Sequence, residues 1–274
     1  MKLVTVMDNR GGENHGLISE HGLSFYAEFP TLKVLFDFGP GKDTLANARK
    51  LDIPLPEIQY AIGSHGHYDH AGGYPAFVDA GLKAPLVTGK GYFLEKYGVE
   101  DIRATYLGTG FDESYLQQKG IRHVECDGFL QLTEDVFLLS GFTQRYPFET
   151  IPERFKLRDG DGWRPDRFDD EICLVHQLKD GLFVLVGCSH PGILNILSTV
   201  EDRFHQPILG VAGGTHLMEA DEARIRKTLD VMKGFGMKFI GFNHCTGERF
   251  RQLVTEVPEL HGVYLGAGDS LFLE

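Results

Sequence analysis

The chain has 274 residues, 39 of them acidic and 27 basic, for a net charge of −12. That length suits one large α/β domain or two small ones, and the acidic balance argues against general binding of a nucleic-acid backbone. No apolar run approaches the ~20 residues that cross a bilayer, and Asp8 stands too early for a secretory leader. The expectation is a soluble, cytoplasmic protein with neither membrane nor nucleic acid as partner.

No Pro/Ser-rich linker, charge block or repeat divides the sequence, so residues 1–274 read as a single domain. Residues 3–7 are apolar and β-branched and predict the first strand; residues 8–16 form a turn-rich loop. Residues 22–29 and 32–36 predict a hairpin around Pro30, with Asp37 closing its second strand. Leu45, Ala48 and Leu51 share one face of a helix over 43–51. A strand over 58–62 is followed by a histidine-rich turn, a helix from 75 to 80 and a strand over 86–88. Residues 90–120 are less regular, and Tyr92, Phe93, Tyr97 and Phe111 within them line either a pocket or the core.

A strand over 136–139 precedes the least regular long stretch, residues 141–170. Long loops without structure of their own are often functional, so a flap over the active site is expected here. Phe148, Trp163 and Phe168 either stack on a substrate ring or pin that loop to the core. Residues 172–178 and 182–186 flank Asp180-Gly181, the clearest hairpin. It leads to Gly187-Cys188-Ser189-His190, and a helix begins at Pro191 with Ile193, Ile196, Leu197 and Val200 inward. A strand over 207–211 runs into Gly213-Gly214-Thr215-His216, and a helix over 219–233 follows. A strand over 239–242 leads to His244, a helix spans 248–257, and 262–271 returns to β structure.

The chemistry centres on Gly63-Ser64-His65-Gly66-His67-Tyr68-Asp69-His70-Ala71-Gly72-Gly73. Three histidines and an aspartate fall on a strand-to-helix turn, where α/β folds place their chemistry. Imidazole and carboxylate are the usual ligands of zinc and similar ions. His65 and His67 are separated by one residue, and alternate residues of an extended loop point the same way. Asp69 and His70 diverge from that pair as the helix begins, which suits a second ion ~3.5–4 Å from the first. A chance cluster of surface histidines is the bland alternative, and the structural setting argues against it. The four cysteines, Cys126, Cys173, Cys188 and Cys245, show no Cys-x-x-Cys pairing. Cys188 and Cys245 lie near candidate histidines and are either ligands or small packing residues; the expected coordination is already filled, which favours packing.

Several further stretches occur in a fixed order with this one: His21-Gly22-Leu23-Ser24, Leu35-Phe36-Asp37-Phe38-Gly39, Gly187-Cys188-Ser189-His190-Pro191-Gly192, Gly213-Gly214-Thr215-His216-Leu217 and Asn243-His244-Cys245-Thr246-Gly247. Together they resemble the metallo-β-lactamase superfamily, and within it the subfamily named for a dihydropterin–ribofuranosylaminobenzene 5′-phosphate synthase. The resemblance implies an α/β fold of four layers, an αββα sandwich with two mixed β-sheets flanked by helices. It implies that His65, His67 and His190 bind one metal ion and that Asp69, His70 and His244 bind a second, Asp69 counting also among the catalytic groups. The implied cofactors are two divalent ions, Zn2+ first, with Mn2+ or Fe2+ as alternatives. Asp37 would accept a hydrogen bond and orient a ligand or loop from outside the coordination sphere.

One departure stands out. Many superfamily members carry a bridging aspartate where this chain has Gly213-Gly214-Thr215-His216. His216 is then a replacement ligand, a proton donor to the leaving group, a substrate contact or a packing residue. The donor or contact role is preferred, because six other ligands already form two sets. Alternatively, Asp170 or Glu171 supplies the missing carboxylate. Trp163, Phe168 and Glu171 are the candidate substrate contacts. Among the other histidines, only His21 is carried by the subfamily resemblance.

The first functional expectation is a metal-dependent hydrolase that turns a metal-activated hydroxide on a small ester, phosphoester or lactone. The alternative is a transferase joining a dihydropterin-methyl diphosphate to a ribofuranosylaminobenzene 5′-phosphate. A third reading, a metal-binding sensor with little turnover, sits poorly with the complete histidine set. The substrate in either enzyme is a small molecule, and the acidic chain does not bar an anionic or phosphorylated one, because the ions supply local positive charge.

Overall fold

The computed structural model describes residues 1–13 and 15–273, so the turn-rich loop expected over 8–16 includes one position, Asn14, outside the described residues. The chain divides into two compact units. The first comprises Met1–Cys126, Ile151–Glu171 and the residues from Gly266 onward; the second comprises Asp127–Thr150 and Ile172–Leu265. No helix among the described residues is long and apolar enough to cross a membrane.

The first unit holds a seven-stranded mixed sheet in the order Ser270–Phe272, Lys2–Met7, Ser24–Glu28, Lys33–Phe36, Tyr60–Gly63, Leu86–Gly89, His123–Cys126. Its first three pairings are antiparallel and its last three parallel. The expected hairpin is present, with Phe25 opposite Phe36. Helices Lys42–Lys50 and Tyr74–Asp79 bury Leu45, Ala48 and Phe77 among Val6, Leu35, Ala61 and Leu86. The helical spacing of those apolar residues, facing β-branched strands, is what binds the layer.

A second, four-stranded antiparallel sheet belongs to the same unit: Gly162–Pro165, Phe155–Asp159, Lys96–Glu100, Arg103–Tyr106. This corrects the sequence reading, which took 90–120 and 141–170 as irregular. Two of these strands, Arg103–Tyr106 and Gly162–Pro165, are exposed at every residue, so no apolar alternation announces them. The sheet is closed by pairing Phe155–Leu157 with Lys96–Gly98, a non-local register that no local pattern reports.

The second unit is built on another seven-stranded mixed sheet, ordered His261–Tyr264, Phe239–Phe242, Ile208–Gly213, Gly181–Leu185, Ile172–Leu178, Val136–Ser140, Phe129–Gln131. Three parallel pairings are followed by three antiparallel ones. Helices Ile193–Phe204, Glu222–Gly234 and Glu248–Val254 supply Ile196, Val200, Ile225, Leu229 and Phe250 to a core with Val175, Val184, Val211 and Ile240. The predicted β stretch over 262–271 is two strands, one in each unit's large sheet.

Two helix starts differ from expectation for the same reason. The helix expected from Pro191 begins at Ile193, because the buried Glu149 carboxylate accepts the N–H groups of Leu194 (3.0 Å) and Asn195 (2.8 Å). The helix expected from 219 begins at Glu222, where the Asp221 side chain caps it through the Arg224 N–H at 2.8 Å. A side-chain acceptor fixes the first turn in each case.

Candidate metal centre

In the first unit, strand Tyr60–Gly63 opens directly into the histidine loop, and His67 is the residue before helix Tyr68–Ala71. His65, His67, Asp69 and His70 are all buried. The loop passes so close to Tyr92 that a Cβ on Gly66 would lie 2.0 Å from the Tyr92 carbonyl oxygen. Only glycine allows that approach.

Asp37 organises the loop from below. It is fully buried and sits at φ 59°. Its Oδ1 accepts the Ser64 backbone N–H at 2.7 Å, and its Oδ2 accepts the Ser64 hydroxyl at 2.8 Å and His70 Nδ1 at 2.6 Å. His65 Nδ1 lies 2.9 Å from that Ser64 hydroxyl, whose proton is already committed to Asp37. The network therefore assigns the proton of each ring to Nδ1. Nε2 is left as the basic nitrogen of both His65 and His70. Burial, and then the nearby His70 and His67, push the His65 imidazole well below its ordinary pKa and keep it neutral.

The rings of His67 and His70 lie 4.8 and 4.3 Å from that of His65, centroid to centroid. Asp69 Oδ2 is 3.9 Å from His70 Nε2 and 3.2 Å from His21 Nε2. Imidazoles with Nδ1 held by such a network, beside the Asp69 carboxylate, fit a divalent ion: ligands must be deprotonated, and their far nitrogens are normally hydrogen-bonded.

A second brace was missed in the sequence. Lys96 is 1 % exposed, and its Nζ donates to Asp166 at 2.8 Å and Asp170 at 2.9 Å. Burial opposes the charged lysine, but Asp170 and Asp166 outweigh it and raise its pKa. The other oxygen of Asp170 accepts the Gly66 N–H at 2.7 Å, inside the histidine loop. Both oxygens of Asp170 are thus engaged, and the residue braces the loop. Lys96 Nζ also lies 4.9 Å from the centre of the Phe168 ring, whose edge-on partner is His67 at 5.2 Å. Phe168 is 1 % exposed and forms a wall against the histidines rather than an open stacking face. Trp163 is exposed but packs on Tyr97 at 4.9 Å, and Glu171 is buried at the end of a turn closed by its N–H to the Phe168 carbonyl.

In the second unit His190, His216 and His244 follow three successive sheet neighbours, strands Gly181–Leu185, Ile208–Gly213 and Phe239–Phe242. Here backbone conformation does the positioning. Ser189, His216 and His244 have φ of 61°, 49° and 47°. With Asp37 and Phe168 they make five of the eight non-glycine residues of positive φ among those described. Backbone strain of this kind concentrates at functional sites. The His190 and His216 rings are 4.3 Å apart. The Ser189 hydroxyl donates to the Gly214 carbonyl at 2.8 Å, and the Thr215 N–H to the Thr246 hydroxyl at 3.1 Å.

The strand end without an aspartate is packed on sulfur. The His216 N–H donates to Cys245 Sγ at 3.3 Å. A Cβ on Gly214 would sit 2.5 Å from that sulfur, and one on Gly213 would sit 2.1 Å from the Val186 carbonyl. The donor atoms of Cys188, His244 and Cys245 all lie within 4.8 Å of one another, and all three residues are buried.

Comparison with known proteins agrees on one family. The sequence profile of the metallo-β-lactamase superfamily matches residues 20–175. The 7,8-dihydropterin-6-methyl-4-(β-D-ribofuranosyl)-aminobenzene-5′-phosphate synthase of Methanocaldococcus jannaschii is 29 % identical, over 93 % of this chain and 91 % of that protein. The crystal structure of Tm1679, a metal-dependent hydrolase of the β-lactamase superfamily, matches at 30 % identity with a TM-score of 0.82, covering 100 % of this chain and 99 % of that one. Zn2+-bound PqqB from Methylobacterium extorquens matches with a TM-score of 0.58 over 100 % of both chains; at 10 % identity this is a likeness of fold alone.

Proposed function

The chain belongs to the metallo-β-lactamase superfamily and has its fold, and from that premise we propose that it is a metal-dependent hydrolase of small esters, phosphoesters or lactones. The observation that carries this reading is the Asp37–Ser64 network, which places the Nδ1 proton of His65 and His70 and leaves Nε2 of each ring toward a metal ion. We carry over the superfamily ligand pattern: His65, His67 and His190 in one set, and Asp69, His70 and His244 in the other. Two Zn2+ ions are the proposed occupants, with Mn2+ or Fe2+ as alternatives. Such ions, when bound, lower the pKa of water at the site and stabilise negative charge developing on a substrate oxygen.

The chain's own groups do the rest. Asp37 and Asp170 hold the loop in register before substrate arrives, so little reorganisation is required at the moment of reaction. His216 is the proposed proton donor to the leaving group. Phe168 and Phe155 pack against His67 and exclude water from that side of the ring. With a chain charge of −12, an anionic substrate depends on the ions for its attraction.

A second reading is favoured by the archaeal relative's name: condensation of a pterin with a ribosylated aminobenzene phosphate. The experiment that separates them is a panel of phosphodiesters, phosphomonoesters, lactones and thioesters run beside that condensation, on protein whose metal content has been measured. Hydrolysis that disappears on chelation and returns with Zn2+ or Mn2+ supports the first reading. Condensation without hydrolysis replaces it with the second, and full activity in demetallated protein removes both.

A further inference from the structure

We infer that Cys188 and Cys245 join His244 as thiolate ligands, so that the second unit offers a sulfur-rich corner for a thiophilic divalent ion. The inference rests on the proposed metal dependence, and its test separates the two. The three donor atoms are mutually within 4.8 Å. Bonds of ~2.0 Å to nitrogen and ~2.3 Å to sulfur set tetrahedral ligand spacings of ~3.5–3.8 Å. Side-chain rotations on the order of 1 Å therefore bring all three onto one ion.

Three features go beyond what packing of small apolar residues requires. Cys245 Sγ accepts the His216 N–H at 3.3 Å, and hydrogen bonds of this kind strengthen as the acceptor gains negative charge. Gly214 leaves room for that sulfur where any side chain would strike it at 2.5 Å. His244, the residue immediately before Cys245, is held at φ 47°, a strained conformation that presents neighbouring ligands from one short turn.

The Cys245 thiol donates to the Cys188 carbonyl at 3.6 Å, and a coordinating cation deprotonates a thiol ligand outright. Two thiolates and an imidazole then select Zn2+ or Cd2+ over Mg2+ or Ca2+.

Co2+ is the probe, added to reduced, demetallated full-length protein, with bound metal measured by elemental analysis. The expected result is thiolate-to-cobalt charge-transfer absorption in the near ultraviolet. That absorption weakens in Cys188→Ser and in Cys245→Ser and vanishes in the double variant, while Cys126→Ser and Cys173→Ser leave it unchanged. Zn2+ affinity of the double variant should fall by more than the ~10–100-fold that loss of an outer-shell partner costs. Stoichiometric Co2+ without a charge-transfer band, a band that survives the double substitution, or a Cys188–Cys245 disulfide in the protein as purified overturns the inference and leaves metal dependence standing. Absence of any bound Co2+ overturns both. X-ray absorption of the unmodified Zn2+ protein makes the result independent of variant folding: a sulfur shell at ~2.3 Å is expected, and a shell of nitrogen and oxygen alone refutes it.

Discussion

The histidine loop of the first unit and the histidine-bearing strand ends of the second solve one problem in two ways. In the loop, four candidate ligands within six residues are held by side-chain carboxylates: Asp37 grips Ser64 and His70, and Asp170 grips Gly66. In the second unit, His190, His216 and His244 stand about 26 and 28 residues apart, and positive φ angles with close glycine packing do the holding. The difference predicts different failures. A side-chain brace is sensitive to loss of charge and hydrogen bonds, whereas a backbone brace is sensitive to added volume.

The largest expected effect is on the first unit. Lys96→Met leaves Asp166 and Asp170 buried without their cation, and breaking a buried ion pair costs ~3–5 kcal/mol. Denaturant unfolding should show that loss together with weaker metal binding. The deficit should shrink as the pH is lowered, because the Asp170 carboxyl, which burial already pushes upward, can then protonate. An unchanged midpoint would mean that Lys96 braces nothing.

His216→Ala should act on the second unit through chemistry rather than stability. If His216 donates a proton, the variant keeps its metal and loses ~100- to 10,000-fold in rate. The loss should narrow for substrates whose leaving groups need no proton. A fall in metal content, with no rescue by better leaving groups, would make His216 a ligand instead.

Glu149 sharpens the comparison, because it is a buried carboxylate brace in the second unit. Burial pushes its carboxyl from 4.5 up to about 7, against the pull of the Leu194 and Asn195 N–H groups. A folded pKa above the unfolded one means that the folded state binds the proton more tightly. Its stabilising contribution is present below about 4.5 and is lost as pH rises through about 7. The gap corresponds to ~3 kcal/mol. Unfolding measured from pH 4 to 8 should show that decline in the parent protein, and Glu149→Gln should flatten it. An equal slope in both would place the buried proton elsewhere.

The sequence made the loop legible because its ligands are contiguous and its strand and helix flanks carry their own apolar patterns. The strand-then-histidine rhythm of the second unit was legible for the same reason. Lys96 was not, since its partners lie 70 and 74 residues away and a lysine in a half-polar strand looks like solvent-facing charge. The four-stranded sheet was hidden because its outer strands bury nothing. The start of the helix at Ile193 depends on a carboxylate 45 residues upstream of Leu194. What escaped, in each case, was a long-range polar contact, which leaves no period in the chain.

Asp37→Asn gives the smallest change, and it tests whether the loop's brace is charge or only shape. The amide has nearly the volume of the carboxylate and retains one carbonyl oxygen. That oxygen can still accept the Ser64 N–H. Its NH2 group, however, now faces the Ser64 hydroxyl and His70 Nδ1, both of which donate to Asp37 in the parent protein. Two donors then meet a donor. His70 can respond only by moving its proton to Nε2, the nitrogen proposed to bind the ion. Metal affinity should therefore fall ~10–100-fold, the usual effect of losing an outer-shell carboxylate, with a stability loss of about 1–3 kcal/mol for the mismatched buried donors. Competition with a chromophoric chelator measures the first and denaturant unfolding the second. Loss of stability with unchanged metal affinity would show that Asp37 supports the fold of the loop without setting the tautomer of His70.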